Sequence, residues 1–123
     1  MPDVKCINLS FIVPLDKVDE VQSVFDVHAA WMKEFYSESN KGEEHLLHAY
    51  FTRARELKDP TDPSKGETGN ILFTLNERFT SNESVSRHNE HVKKNEYFQK
   101  FIEIKNKYAV FRSAGGEVYH FIK

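Results

Sequence analysis

Lys5-Cys6-Ile7-Asn8-Leu9-Ser10-Phe11-Ile12-Val13 alternates residue by residue. Ile7, Leu9, Phe11 and Val13 point to one side, and Cys6, Asn8, Ser10 and Ile12 to the other. A period of two predicts a β-strand with both sides partly buried. Pro14 ends it, and Asp16 is placed to cap a helix with Asp19 and Glu20 in its first turn. There the period changes. Val18, Val21, Phe25, His28, Met32 and Phe35 recur at spacings of three and four, which predicts an amphipathic helix to about Tyr36.

The polar stretch Ser37 to Glu44 reads as a connection. Alternation returns from His45 to Arg55, with Leu47, Ala49 and Phe51 on one side and Leu46, His48, Tyr50 and Thr52 on the other. Glu56 to Gly69 holds Pro60, Pro63 and Gly66 among charges and predicts a long loop. Asn70 to Phe79 is a third strand, with Ile71, Phe73 and Leu75 opposite Leu72, Thr74, Asn76 and Arg78. Ser81 or Asn82 then caps a second helix carrying Val85, His88, His91, Val92, Phe98, Phe101 and Ile102, with a bend expected near Asn95. Tyr108 to Arg112, a turn at Ala114-Gly115-Gly116, and Val118 to Ile122 read as a closing strand pair or one interrupted strand. The order is β-α-β-β-α-β. It predicts a four-stranded antiparallel sheet with both helices on one face. The aliphatic strand sides should meet the helices. The inverse, with polar residues turned inward to line a pocket, stays open.

The chain has 123 residues, enough for one α+β domain spanning 1–123. Its size makes a partner surface useful, so a homodimer is expected. The formal net charge is −2 and no basic stripe is present, which argues against nucleic acid. Cys6 is the single cysteine, so no intrachain disulfide can form and a cytoplasmic location is the natural expectation. Neither a signal peptide nor a membrane span is expected.

The stretch from Leu72 to His88 carries a resemblance. Glu77 and Phe79 close a strand, a short capped turn follows, and His88 stands eleven residues after Glu77. This resembles the antibiotic-biosynthesis-monooxygenase-like family, whose element order is also β-α-β-β-α-β. The resemblance implies a ferredoxin-like fold pairing through its sheet into a dimeric α+β barrel, with a pocket between sheet and helices in each subunit. It implies cofactor-free oxygenase or isomerase chemistry, although members span many activities. The haem-degrading branch has Trp where Phe79 stands, and no cofactor is expected here. His91 is the alternative to His88 as the matching residue.

The candidate chemistry rests on a few side chains. His28, beside Trp31 and Met32, is either a general base or a hydrogen-bonded core histidine. His88 and His91, three apart, can share a metal with a third ligand from His48, Glu77 or His28. The plainer reading is one pocket histidine and one surface histidine, and no metal is expected. Asn8, Asn76, Tyr50 and Arg78 can orient an oxyanion or carboxylate, or they form a polar face satisfied by water. Trp31, Tyr36 and Tyr97 can wall an aromatic ligand, or belong to the core.

Two functions follow as expectations. One is an enzyme on an aromatic or enolisable small molecule. His88, or else His28, takes a proton, Asn8, Asn76 or Arg78 holds the oxyanion, and His91, Tyr50 and Trp31 contact substrate. The other is a non-catalytic dimeric barrel that binds a small ligand or a protein partner through a packed interior.

Overall fold

The computed structural model describes residues 4–37 and 45–123. Strand β1 is Lys5–Pro14, helix α1 Val18–Phe35, strand β2 Leu46–Leu57 and strand β3 Glu67–Phe79. Helices α2 (Asn82–Val92) and α3 (Phe98–Tyr108) precede strand β4 (Ala109–Glu117). The strands form one antiparallel sheet in the order β2-β3-β1-β4. This α+β architecture fits a ferredoxin-like arrangement in strand order and in the side on which the helices pack. No helix among the described residues is long and apolar enough to cross a membrane.

Alternation decides which face is covered. Ile7, Leu9, Phe11 and Val13 of β1 pair across the ladder with Glu77, Leu75, Phe73 and Ile71 of β3. Both rows face the helices, because residues two apart share a face. Phe25 of α1 sits at the centre, its ring 4.8 Å from Phe11, 5.3 Å from Phe73 and 6.0 Å from Phe101. The polar rows of β1 and β3 lie on the opposite, outer face.

Several local expectations differ from what is observed. Asp16 does not cap α1. Leu15–Lys17 forms a 3-10 turn, and the helix starts at Val18 without a side-chain cap. The connection expected at Ser37 to Glu44 lies, from 38 onward, outside the described residues. The Glu56 to Gly69 loop is shorter than its composition suggested, because β2 runs to Leu57 and β3 begins at Glu67. Glu56 accepts hydrogen bonds from Thr68 Oγ1 (2.7 Å) and Asn70 Nδ2 (3.1 Å), which extends the hairpin beyond its apolar part. A register shift between Leu46 and His48 exchanges two leucines: Leu46 packs on the core and Leu47 is exposed. The bulge supplies the extra residue that reverses the alternation.

The second helix is two helices, divided over residues 93–97. Ser81 caps α2 by accepting from the Ser84 N–H, so Val85, His88 and Val92 face inward. Phe101 comes nine residues after Val92, two and a half turns at about 3.6 residues per turn. An unbroken helix would point it at solvent. The break lets Phe101 and Ile104 face the core instead. The chain closes as a single strand, Ala109–Glu117. Tyr108 belongs to α3, and residues 118–123 have no regular structure.

Candidate functional site

Glu77 lies in the inward row of β3, between Leu75 and Phe79. It is 1 % exposed, among the most deeply buried side chains in the protein. Its ladder neighbours are Ile7 on β1 and the small Ala49 on β2. Periodicity brings two histidines to the same place. His28 follows Val21 and Phe25 on the inward stripe of α1, and His88 follows Val85 on that of α2; they are 2 % and 3 % exposed.

Glu77 stands between them. His28 Nε2 is 3.8 Å from Oε2, and His88 Nε2 is 3.1 Å from Oε1. His28 Nδ1 shares a 2.7 Å hydrogen bond with the Tyr97 hydroxyl, and His88 Nδ1 a 2.8 Å hydrogen bond with the Tyr36 hydroxyl. The Tyr97 hydroxyl also accepts from Asn95 Nδ2 at 3.4 Å. The result is a line: Tyr36, His88, Glu77, His28, Tyr97. Its two outer links are well-formed hydrogen bonds and its two inner ones are not. The 3.8 Å link is too long, and Glu77 Oε1 accepts no hydrogen bond from the described residues although His88 Nε2 is close. The Nε2 atoms of both histidines therefore face one carboxylate, His88 closely and His28 at a longer distance.

Electrostatics sharpen the picture. Burial alone would raise the Glu77 pKa, since a low-dielectric interior disfavours charge. The imidazoles of His28 and His88 outweigh it and hold the carboxyl down at about 2. A buried carboxylate of this kind needs donors or a cation to be tolerated. Burial pushes Tyr97 the other way, upward, and the nearby negative charge of Glu77 adds to the rise. Aromatic rings enclose the centre. Trp31 and Phe51 lie roughly parallel to the His28 ring at 5.8 and 5.9 Å, and Phe79 lies 5.1 Å from His88.

A pocket of about 450 Å³ opens beside this centre, between the β1–β4 side of the sheet and helices α2 and α3. His28, Glu77 and His88 line it, with apolar walls from Ile7, Leu9, Phe98 and Phe101. That volume falls in the usual range for small-ligand sites, about 300–1,000 Å³.

Of the residues proposed from sequence, His28 and His88 meet at the pocket. Trp31 is half-buried beside them, at 5.8 Å from the His28 ring and 5.6 Å from the His88 ring. His91 is not at the centre: its ring packs on Phe35 at 4.6 Å. His88 lines the pocket and His91 does not, so the two share no site, and it is His28 that meets His88 at Glu77. Asn8, Asn76, Tyr50 and Arg78 all lie on the outer face, away from the pocket. There Asn8 Nδ2 donates to Asn76 Oδ1 at 3.1 Å. Arg78 reaches His48 Nδ1 from Nε at 3.0 Å and Nη2 at 2.7 Å, and Tyr50 is exposed. Their parity on the strands puts them there, and the inverse face assignment is not adopted.

In the sequence Glu77 has a role only as one of three possible third ligands to a metal, and none in the proton chemistry. Its signal was a carboxylate in register with Phe73, Leu75 and Phe79 on an otherwise apolar row. Tyr36 and Tyr97 were read as ring walls, whereas their hydroxyls hold the histidines. Lys105 and Arg112, which also line the pocket, carried no local signal. No protein-family model and no curated protein matches this chain.

Proposed function

We propose that this protein is a small-molecule enzyme in which His88 moves a proton to and from an aromatic or enolisable substrate held in the 450 Å³ pocket. The observation that carries this reading is that His88 Nε2 stands 3.1 Å from the buried Glu77 carboxylate, and that both residues line the pocket. Tyr36 occupies Nδ1 of His88. In the tautomer that donates from Nδ1, Nε2 keeps the lone pair that would accept the proton. The charge that His88 gains with a proton is then met by the Glu77 carboxylate 3.1 Å away. A positioned base of this kind contributes about 10²–10⁴-fold to a proton transfer. His28 faces the other oxygen of the same carboxylate at 3.8 Å and adds a second imidazole beside it. With O₂ as co-substrate, a carbanion formed at a CH₂ carbon adds dioxygen to give a hydroperoxide, whose O–O bond breaks with loss of water to leave a carbonyl; with proton return to another carbon the reaction is an isomerisation. Asn8, Asn76 and Arg78 are not needed in this version.

The alternative, a non-catalytic binding protein, expects an interior filled by Phe and Leu side chains. The open pocket and the buried His-Glu-His line favour catalysis. The test is solvent deuterium exchange, followed by proton NMR, over a panel of phenols and enolisable ketones. Wild-type protein should exchange an acidic C–H, and His88→Ala should lose about 100-fold or more of that rate. Full exchange in both His88→Ala and His28→Ala would remove the proposed base.

One observation favours a second reading. The ligand atoms of His28, Glu77 and His88 lie within 4.8 Å of one another, and Oε1 lacks a hydrogen bond. Two histidines and a carboxylate with open positions suit Fe²⁺ or Zn²⁺, and the tyrosine hydroxyls on both Nδ1 atoms supply the outer support such ligands use. Calorimetric titration with each metal decides. Stoichiometric binding that Glu77→Gln abolishes would move the chemistry from imidazole to a metal-bound water.

We also read the outer face as the contact of a homodimer closing into an α+β barrel. Exposed Tyr50 and Phe111, in register with the outward Asn76 and Ser10, support this. So does the 118–123 segment, whose Phe121 ring lies 5.8 Å from the Arg78 guanidinium on that face.

A further inference from the structure

The pocket is electrically two-ended. Glu77 occupies its deep end, 1 % exposed, as a carboxylate with an unused oxygen. Three cations line it elsewhere: Lys93 at the end of α2, Lys105 on α3 and Arg112 on β4. Lys93 and Arg112 are exposed and Lys105 half-buried, so this is the open end. Glu77 is the one acidic residue among the lining side chains.

Lys93 has a partner, Glu90 at 3.2 Å. Lys105 and Arg112 have none: among the described residues neither forms an ion pair or a hydrogen bond through its side chain. Their placement follows from the fold. Arg112 pairs with Leu9 across the β1–β4 ladder, so its side chain leaves the sheet on the helix side. Lys105 follows Phe101 by one helical turn and lies over the same wall. The burial of Lys105 and the like charge of Arg112 both depress its pKa. Two cations facing the same cavity without a counter-charge disfavour each other, and an anion between them removes that cost.

We propose that Lys105 and Arg112 form the recognition site for the carboxylate of an organic acid, which is the substrate class of this pocket. The guanidinium fork receives a carboxylate in a two-point hydrogen bond, and the ammonium adds a point charge. The apolar walls hold the body of the molecule. Glu77 repels a second anionic group, so the neutral, reacting end is directed toward His88. Orientation is set by charge at both ends of one cavity. This inference rests on the pocket being the substrate site, but not on His88 being the base.

The test measures binding, apart from turnover. Benzoate, cinnamate and 1-naphthoate are each titrated by calorimetry beside their neutral carboxamides. At least one acid should bind tenfold or more tightly than its amide. Arg112→Gln and Lys105→Gln should each weaken that acid about tenfold or more and leave its amide unchanged. Both residues lie at the open end, and circular dichroism checks that the variants fold. His88→Ala should retain the preference for acid over amide. If no acid binds more tightly than its amide, or if both glutamine variants bind the acid as wild type does, the proposal is overturned. A preserved acid preference with normal exchange in the histidine variants would instead sink the catalytic role of His88 while leaving the carboxylate site standing.

Discussion

Glu77 and His88, eleven residues apart in the chain, meet with Oε1 3.1 Å from Nε2, and both side chains are almost wholly excluded from water. The carboxylate depends on the two histidines facing it, and its response to acid follows from that. Its pKa is about 2 in the folded protein against 4.5 ordinarily. Above pH 4.5 Glu77 is ionised folded or unfolded, and its contribution to stability is fully present. As the pH falls toward 2 the unfolded chain takes up the proton first, and the contribution drains away. Urea midpoints between pH 2 and 6 should fall steeply in wild type and less steeply in Glu77→Gln. Parallel profiles would show that Glu77 is not held below its ordinary value.

The tyrosine hydroxyls hold the imidazoles by their Nδ1 atoms. Tyr36→Phe and Tyr97→Phe each delete one hydrogen bond to a buried ring nitrogen. Each should cost about 1–3 kcal/mol, because the nitrogen is left without its partner. The ¹⁵N shifts of the affected imidazole should move while the other stays in place. Unchanged shifts in both variants would contradict the hydrogen-bonded line.

Phe25 ties α1 to the sheet and to α3 through three ring contacts. Phe25→Ala should destabilise the fold by about 3–5 kcal/mol through lost burial and a cavity. Val27, exposed on the same helix, is the control, and Val27→Ala should stay within about 0.5 kcal/mol. Equal urea midpoints for the two variants would contradict the packing described.

If two copies pair through the outer face, charge placed there should separate them. Tyr50→Glu with Phe111→Glu puts carboxylates at two exposed ring positions on that face. Light scattering should report a dimer for wild type and a monomer for the double variant, with unchanged circular dichroism. A wild-type monomer at high micromolar concentration would remove the barrel.

Much of this could be read along the chain. Alternation at Lys5–Val13 and Asn70–Phe79 marks strands, and spacings of three and four mark Val18–Phe35 as a helix. The same periods put His28 and His88 on inward faces. Those periods are set by local backbone geometry. The bend expected near Asn95 is a full break over residues 93–97, whereas the bulge at Leu46 was less legible, because it is a correction of phase that only packing demands. Glu77 stood in plain view on an apolar row, but a carboxylate there means little until its neighbours are known.

What the tertiary structure alone decided is which inward faces meet. His28 and His88 are sixty residues apart and reach one carboxylate because β3 lies beside β1 and both helices cross the same face. Lys105 and Arg112 share a cavity only because α3 turns directly into the edge strand β4 and β4 pairs with β1. Asn8 and Asn76 likewise meet on the outer face through the β1–β3 register. Sequence period determines the direction of a side chain within its own element. Register and strand order, which depend on long-range packing, determine what that side chain finds there.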